Sequence, residues 1–331
     1  MSFARPALTE RVTLSAVFLA TGLVLLSATA GNSAPRVHRR GPGLPRLQVI
    51  PIAGGASDVA VGARAVWVAG DDSLARVDPH REKVVARVQL HGWVGGLAVG
   101  AGSVWAATMV PHHYAGRVWR IDPKTNRVLA RIPIASGLTG GLGGLAFGAG
   151  SIWATSGNYS HSAPLWRIDP KTNRVVARIS VGDGPAGVIV AGGFVWVSRI
   201  TAGTVAEIDP KVNKVVRSIQ VGAAPFGLVA GRDSLWVLNE NDGTVSRIDL
   251  RTGAVSRRAI RIGGEYATDI GLASGAIWIS RAQKGMLLRF SARTGKLDAQ
   301  LRLPGAFAIA AGFGALWVSE NSSKKLARIG L

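Results

Sequence analysis

The chain has 331 residues, with 39 Lys+Arg against 19 Asp+Glu for a formal net charge of +20, and it contains 43 Gly, 10 Trp and no Cys. The missing cysteine excludes a disulfide-stapled miniprotein, a thiol enzyme, a cysteine-ligated metal centre and a lipoprotein anchor. With 47% hydrophobic and 18% charged residues the chain is not disordered, and its glycine content points to turns and closely packed strands.

Residues 1–30 read as a signal peptide: Arg5 and Arg11 precede an apolar run from Val12 to Leu26, which ends at the small-residue site Ala28-Thr29-Ala30. An uncleaved membrane anchor is the rival reading, since a spanning helix needs ~17–25 apolar residues. Cleavage is favoured because the run is interrupted by Thr13, Ser15, Thr21 and Gly22. Either reading places the rest of the chain outside the cytoplasm, secreted or held at the membrane. Residues 31–46 are basic, rich in Gly and Pro and aperiodic, as expected of a linker.

From residue 47 to 331 one repeat dominates. An apolar residue followed by Trp recurs at Trp67, Trp105, Trp153, Trp196, Trp236, Trp278 and Trp317, with spacings of 38, 48, 43, 40, 42 and 39. A period of ~40–45 residues with four short strands per unit is the signature of a propeller blade. In the second unit the predicted strands are Gly96 to Gly100, Ser103 to Thr108, Arg117 to Ile121 and Arg127 to Ile134. The turn Asp122-Pro123-Lys124-Thr125-Asn126 carries its own chemistry: Asp accepts backbone N–H groups, Pro presets the first dihedral, and Asn tolerates positive φ. The seventh unit stops at Leu331 after its third strand, while Leu47 to Ile52 resembles an orphan fourth strand. The expected fold is therefore all-β: a single seven-bladed β-propeller of four-stranded blades, with the N-terminal strand completing the last blade and no free sheet edge.

The repeat residues themselves are read as structure. Seven tryptophans at one position suit inter-blade packing better than an aromatic cage. Each Asp of the Ile-Asp-Pro turns stands without a second carboxylate at ligand spacing, which makes it a turn residue and not a calcium ligand. Lys124, Arg127, Lys171, Arg174, Lys211 and Lys214 recur in or beside the turns between third and fourth strands, on one face of the ring. Two readings stay open for them: a solvated surface, or a surface for an anionic cell-envelope polymer. The turns hold no aromatic, which disfavours nucleic acid.

Propeller ligands meet the ring at the channel mouth, where second strands join third strands and each blade joins the next. Blades two and three carry enlarged loops there, with His112, His113 and Tyr114 on one and Asn158, Tyr159 and His161 on the other. Neutral imidazoles and tyrosines on adjacent loops suit a polar ligand or a transition metal. A second group is acidic. Nine residues before the repeat Trp, where other units have Gly or Ala, blades one and six carry Asp58 and Asp269, with Glu320, Glu265 and Tyr266 near the same end. These carboxylates either bind a divalent cation, Mg²⁺ or Ca²⁺, or pair with Arg199 and Arg281. No nucleophile triad or strand-to-helix phosphate loop is present.

Units such as Gly102-Ser103-Val104-Trp105-Ala106 followed by Trp119-Arg120-Ile121-Asp122-Pro123-Lys124-Thr125-Asn126 resemble the secreted bacterial seven-bladed propellers grouped with streptogramin lyase (virginiamycin B lyase) and the YVTN-repeat proteins. The resemblance covers residues 47 to 331 and is specific for fold, since enzymes and non-enzymes share this repeat. For an enzyme of that family it implies a magnesium-assisted elimination using two His and a Glu near the channel in the later blades. Here no His follows His161, and Glu320 alone offers a carboxylate at a matching place. The expectation is a secreted or envelope-associated binding or scaffold module, non-catalytic and monomeric, that takes a small molecule or protein at the channel mouth. The alternative is a metal-dependent carbon–oxygen lyase or a hydrolase acting from Asp58, Asp269 and Glu320.

Overall fold

The computed structural model describes residues 47–110, 115–134, 142–156, 162–263 and 266–331. Among them, 28 strands form seven four-stranded antiparallel sheets, and one short 3-10 helix lies at Ala282–Lys284. The innermost strands, Asp58–Gly62, Trp93–Gly100, Leu142–Gly148, Pro185–Ala191, Pro225–Ala230, Asp269–Ala273 and Ala306–Gly312, contact one another in ring order around the channel. Glycine is needed where they converge: a Cβ on Gly100 would fall into the ring of Phe147, and one on Gly312 into Val61.

Six blades take their strands consecutively, and the seventh does not. Its sheet runs Ala306–Gly312, Ala315–Glu320, Lys325–Gly330 and then the N-terminal strand Leu47–Pro51, in register from Leu47 opposite Ile329 to Pro51 opposite Lys325. The ring closes as the orphan strand predicts. In the second blade the strands are Trp93–Gly100, Ser103–Val110, Ala115–Ile121 and Val128–Ile134; the first three run further toward the mouth than expected, and the fourth begins one residue later. The outer strand of blade five shrinks to Ile260–Arg261, because Ser256-Arg257-Arg258-Ala259 breaks the apolar alternation.

The turns follow their chemistry. Asp122 accepts the Lys124 N–H at 2.8 Å and the Thr125 hydroxyl at 2.9 Å, and Asn126 sits at φ 59°. Amide donors, foremost Lys124, Lys171 and Thr252, hold the carboxyls of Asp122, Asp169 and Asp249 below the usual carboxylate range.

No repeat tryptophan is more than 5% exposed, so none can face a ligand from the surface. The indole N–H of Trp105, Trp153, Trp196 and Trp317 donates to the carbonyl five residues earlier, at 3.0 Å in each case. An arginine of the third strand lies over the indole in six blades, Arg120 over Trp105 at 5.3 Å and Arg167 over Trp153 at 5.1 Å among them. The same guanidinium reaches the next blade. Arg167 donates from Nε to Ser151 Oγ at 2.8 Å, and from Nη1 to the Pro210 carbonyl at 2.7 Å and Asn213 Oδ1 at 2.9 Å. In blade four Glu207 occupies the arginine position opposite Trp196; it pairs with Arg217, which donates to the Thr252 carbonyl of blade five.

Trp153→Ala should therefore cost roughly 3–5 kcal/mol in denaturant unfolding. Trp93→Ala, at a half-buried tryptophan outside the repeat position, should cost less than half as much. Equal losses would show that the repeat indoles are not the packing units.

Candidate channel-mouth site

Asp58 and Asp269 each open the innermost strand of their blade, where the other blades have Gly or Ala. Neighbouring junctions at this level are made by a hydroxyl two residues after the repeat Trp. Ser198 accepts the Gly187 N–H at 2.9 Å and donates to the Phe226 carbonyl of the next blade at 2.7 Å, and Thr155 links Gly144 to the Ala186 carbonyl in the same way. Blade one has Ala69 at that position, and Ser57 donates to the Val94 carbonyl instead, at 2.9 Å. Beside these links each aspartate crosses a junction. Asp58 accepts its neighbour Val59 N–H at 2.7 Å and the Leu97 N–H of blade two at 2.8 Å. Asp269 accepts the Ile309 N–H of blade seven at 2.8 Å, and that of Ile270.

Both side chains are half-buried by exposed area yet enclosed by the inner strands, and the enclosure governs their ionisation. Desolvation is the leading cause that pushes each carboxyl up to about 7; repulsion from Asp269 adds to it for Asp58, and the amide donors oppose it. The charge of Asp269 thus bears on the ionisation of Asp58, two blades away around the ring.

Glu320 does not join them. Its side chain is buried, Oε2 accepts the Ser323 hydroxyl at 2.8 Å, and Oε1 has no hydrogen-bond partner, so burial raises its pKa. Arg199 is engaged elsewhere, on Thr204 Oγ1 at 2.9 Å, the Val181 carbonyl at 3.1 Å and the Ser218 hydroxyl. Tyr266 is 45% exposed and holds φ 67°, a conformation that costs a bulky L-residue energy. His112, His113, Tyr114, Asn158, Tyr159, His161 and Glu265 lie outside the described residues.

The mouth face also holds a feature that sequence reasoning missed. Between blades four and five, residues 200–203, 220–224, Asn241 and Asp242 line an open depression of about 520 Å³. The small residues Ala202, Gly203, Gly222, Ala223 and Ala224 leave this space, and their clustering is the signal that would have found it.

No family model matches the chain, and no curated protein matches it in sequence. Solved structures match in fold. Selenomethionine-substituted virginiamycin B lyase from Staphylococcus aureus superposes with TM-score 0.73 at 15% identity, over 86% of this chain and 99% of that one. This chain is a seven-bladed propeller with the virginiamycin B lyase fold. A catalytically inactive variant of the same lyase with quinupristin gives TM-score 0.70 at 16% identity, again over 86% and 99%. A hydrazine synthase from Kuenenia stuttgartiensis gives 0.69 at 13% identity over 84% and 96%. Likeness at these identities is likeness of fold.

The magnesium that the lyase resemblance implies does not fit the residues present. Each channel carboxylate already holds two amide donors, Glu320 bonds within its own turn, and among the described residues no three His, Asp or Glu gather as a metal group. What the pair does is couple the blade junctions to pH. An acid whose folded pKa is raised contributes stability that is full below its unfolded value, here near 3.8, and is lost as pH rises through about 7. Asp58→Asn cannot ionise and keeps one of the two acceptor oxygens, so its stability relative to wild type should rise by about 1–2 kcal/mol between pH 4 and pH 8, on top of a pH-independent cost for the lost acceptor. Parallel stability curves for variant and wild type across that range would refute the raised pKa.

Proposed function

We propose that the protein is a non-catalytic binding or scaffold propeller, exported through its N-terminal segment, which offers the mouth face to a small molecule or a protein. The observation that carries this reading is the engagement of Asp58 and Asp269 with backbone amides of the neighbouring blades. Two amide donors on each carboxylate give it a structural task at a blade junction, which accounts for an aspartate there without a substrate. The strained, exposed Tyr266 and the depression between blades four and five are surfaces suited to recognition on the same face. Among the described residues no helix is long and apolar enough to cross a membrane.

The competing reading is a metal-dependent lyase. Calorimetric titration of the purified protein with Mg²⁺ and Ca²⁺, and chromatography of quinupristin incubated with protein and Mg²⁺, separates the two. The expected result is no saturable heat and no ring-opened product. Saturable binding or ring opening that disappears in Asp58→Ala/Glu320→Ala would overturn the proposal in favour of a channel enzyme, where loss of one acid or base costs ~10²–10⁴-fold in rate.

A further inference from the structure

We infer that the end of the propeller opposite the mouth is a docking surface for a linear anionic glycopolymer. This concerns the other face of the ring and stands or falls separately from the mouth-face reading. The third-to-fourth-strand turns of blades two to six carry nine Lys and Arg against four Asp. Those aspartates are turned into their own loops: Asp122, Asp169, Asp209 and Asp249 each accept the amide two residues on, at 2.8 to 3.0 Å. The cations stay outward. Lys124, Arg127, Lys171, Lys211, Arg251 and Lys296 are exposed, and none forms a salt bridge among the described residues.

The array is also held in place. Arg76 donates to Asn126 at 3.3 Å, Arg120 to Asn173 at 3.0 Å and Arg167 to Asn213 at 2.9 Å, so the turns of blades two, three and four are each pinned by a guanidinium from the preceding blade, and Arg217 reaches the blade-five turn at the Thr252 carbonyl. Two sets of basic residues thus do different work. Third-strand arginines fix the turns, and turn cations, spaced one blade apart, face solvent. A fixed arc of unpaired positive charge complements an extended chain with regularly spaced anions, and ordering cost on the protein side is already met by the fold.

The aromatic content of this end favours a glycan over nucleic acid. The turns hold no aromatic, but first-to-second-strand turns bring three phenylalanines, Phe147, Phe194 and Phe313, to the same end, which the sequence reading did not foresee. Phe147, 38% exposed, covers Gly100 and borders a depression of about 420 Å³ shared with Arg120 and Lys171. Phe313, 39% exposed, meets His80 edge-on at 6.3 Å. With the half-buried Phe194 they stand one to a blade on blades three, four and seven, and among the described residues none pairs with another phenylalanine ring, whereas single-stranded nucleic acid is held on runs of stacking platforms.

Binding of heparin, a soluble sulfated glycan, at about 50 mM and about 500 mM NaCl tests the assignment. Wild type should bind and weaken about tenfold or more at the higher salt. Lys124→Gln/Lys171→Gln/Lys211→Gln should lose about tenfold at low salt while melting as wild type does. Lys284→Gln/Arg302→Gln/Lys324→Gln removes equal charge from exposed mouth-side positions and should stay within about twofold. No heparin binding, or equal loss in both triples, overturns the inference. Tighter binding of single-stranded DNA or of anionic phosphatidylglycerol vesicles than of heparin, with the same sensitivity to the turn triple, also overturns it and reassigns the face to that partner.

Discussion

The ring depends on burying one large indole per blade against its neighbour. A four-stranded sheet of this size is too small to hold itself together, and its inner edge is too crowded for bulky side chains, so apolar burial has to come from between the sheets. Trp153 illustrates the arrangement: it packs with Leu165 and Ile179 of its own blade and with Val195, Val197 and Ile208 of the next. Once the indole is placed, its N–H needs an acceptor, which the carbonyl five residues back supplies, and its outward face takes a guanidinium. The third-strand arginine is therefore part of the packing and not surplus surface charge.

That distinction changes what the net charge of +20 means. Arginine suits a position between an indole face and a carbonyl, because its planar fork stacks and donates at once, and lysine cannot do both. Blade four shows how tightly the demand is held. There Glu207 stands where arginine is expected, and Arg217 from the outer strand pairs with it and restores the reach to the next blade. Lysines gather in the turns, where only solvation and long-range attraction act on them.

Repeat period, strand order and ring closure were legible in the sequence because each is enforced many times over. Trp spacing sets the blade, Asp-Pro-Lys-Thr-Asn sets the turn, and an orphan Leu47–Pro51 strand has one empty place to go. Features that occur once were less legible. Asp58 and Asp269 stood out against a Gly consensus, but that contrast alone gave no direction for their oxygens; the amides of Leu97 and Ile309 become visible only when adjacent blades are docked. Glu320 was grouped with them by its distance from Trp317, yet residues at successive positions along a strand point to opposite faces, and it turns to Ser323 instead. Phe147 and Phe313 sit outside the repeat positions, so the repeat pattern carries no signal for them on the basic end.

The channel pair is also where solution conditions reach the scaffold most directly. Asp78, Asp122, Asp169 and Asp249 in the turns are held below the ordinary carboxylate range by amide donors and remain charged at any physiological pH. Asp58 and Asp269 receive amide donors too, so hydrogen bonding cannot be what separates the two groups. Water does: turn carboxylates keep their hydration, while the channel carboxylates exchange it for the walls of the ring and the proximity of each other. The same residue type with the same donor type thus acts as a permanent anion at the rim and as a proton-binding group at the axis. Since each axial aspartate bridges two blades, its proton uptake is tied to inter-blade contact and not to local chain geometry.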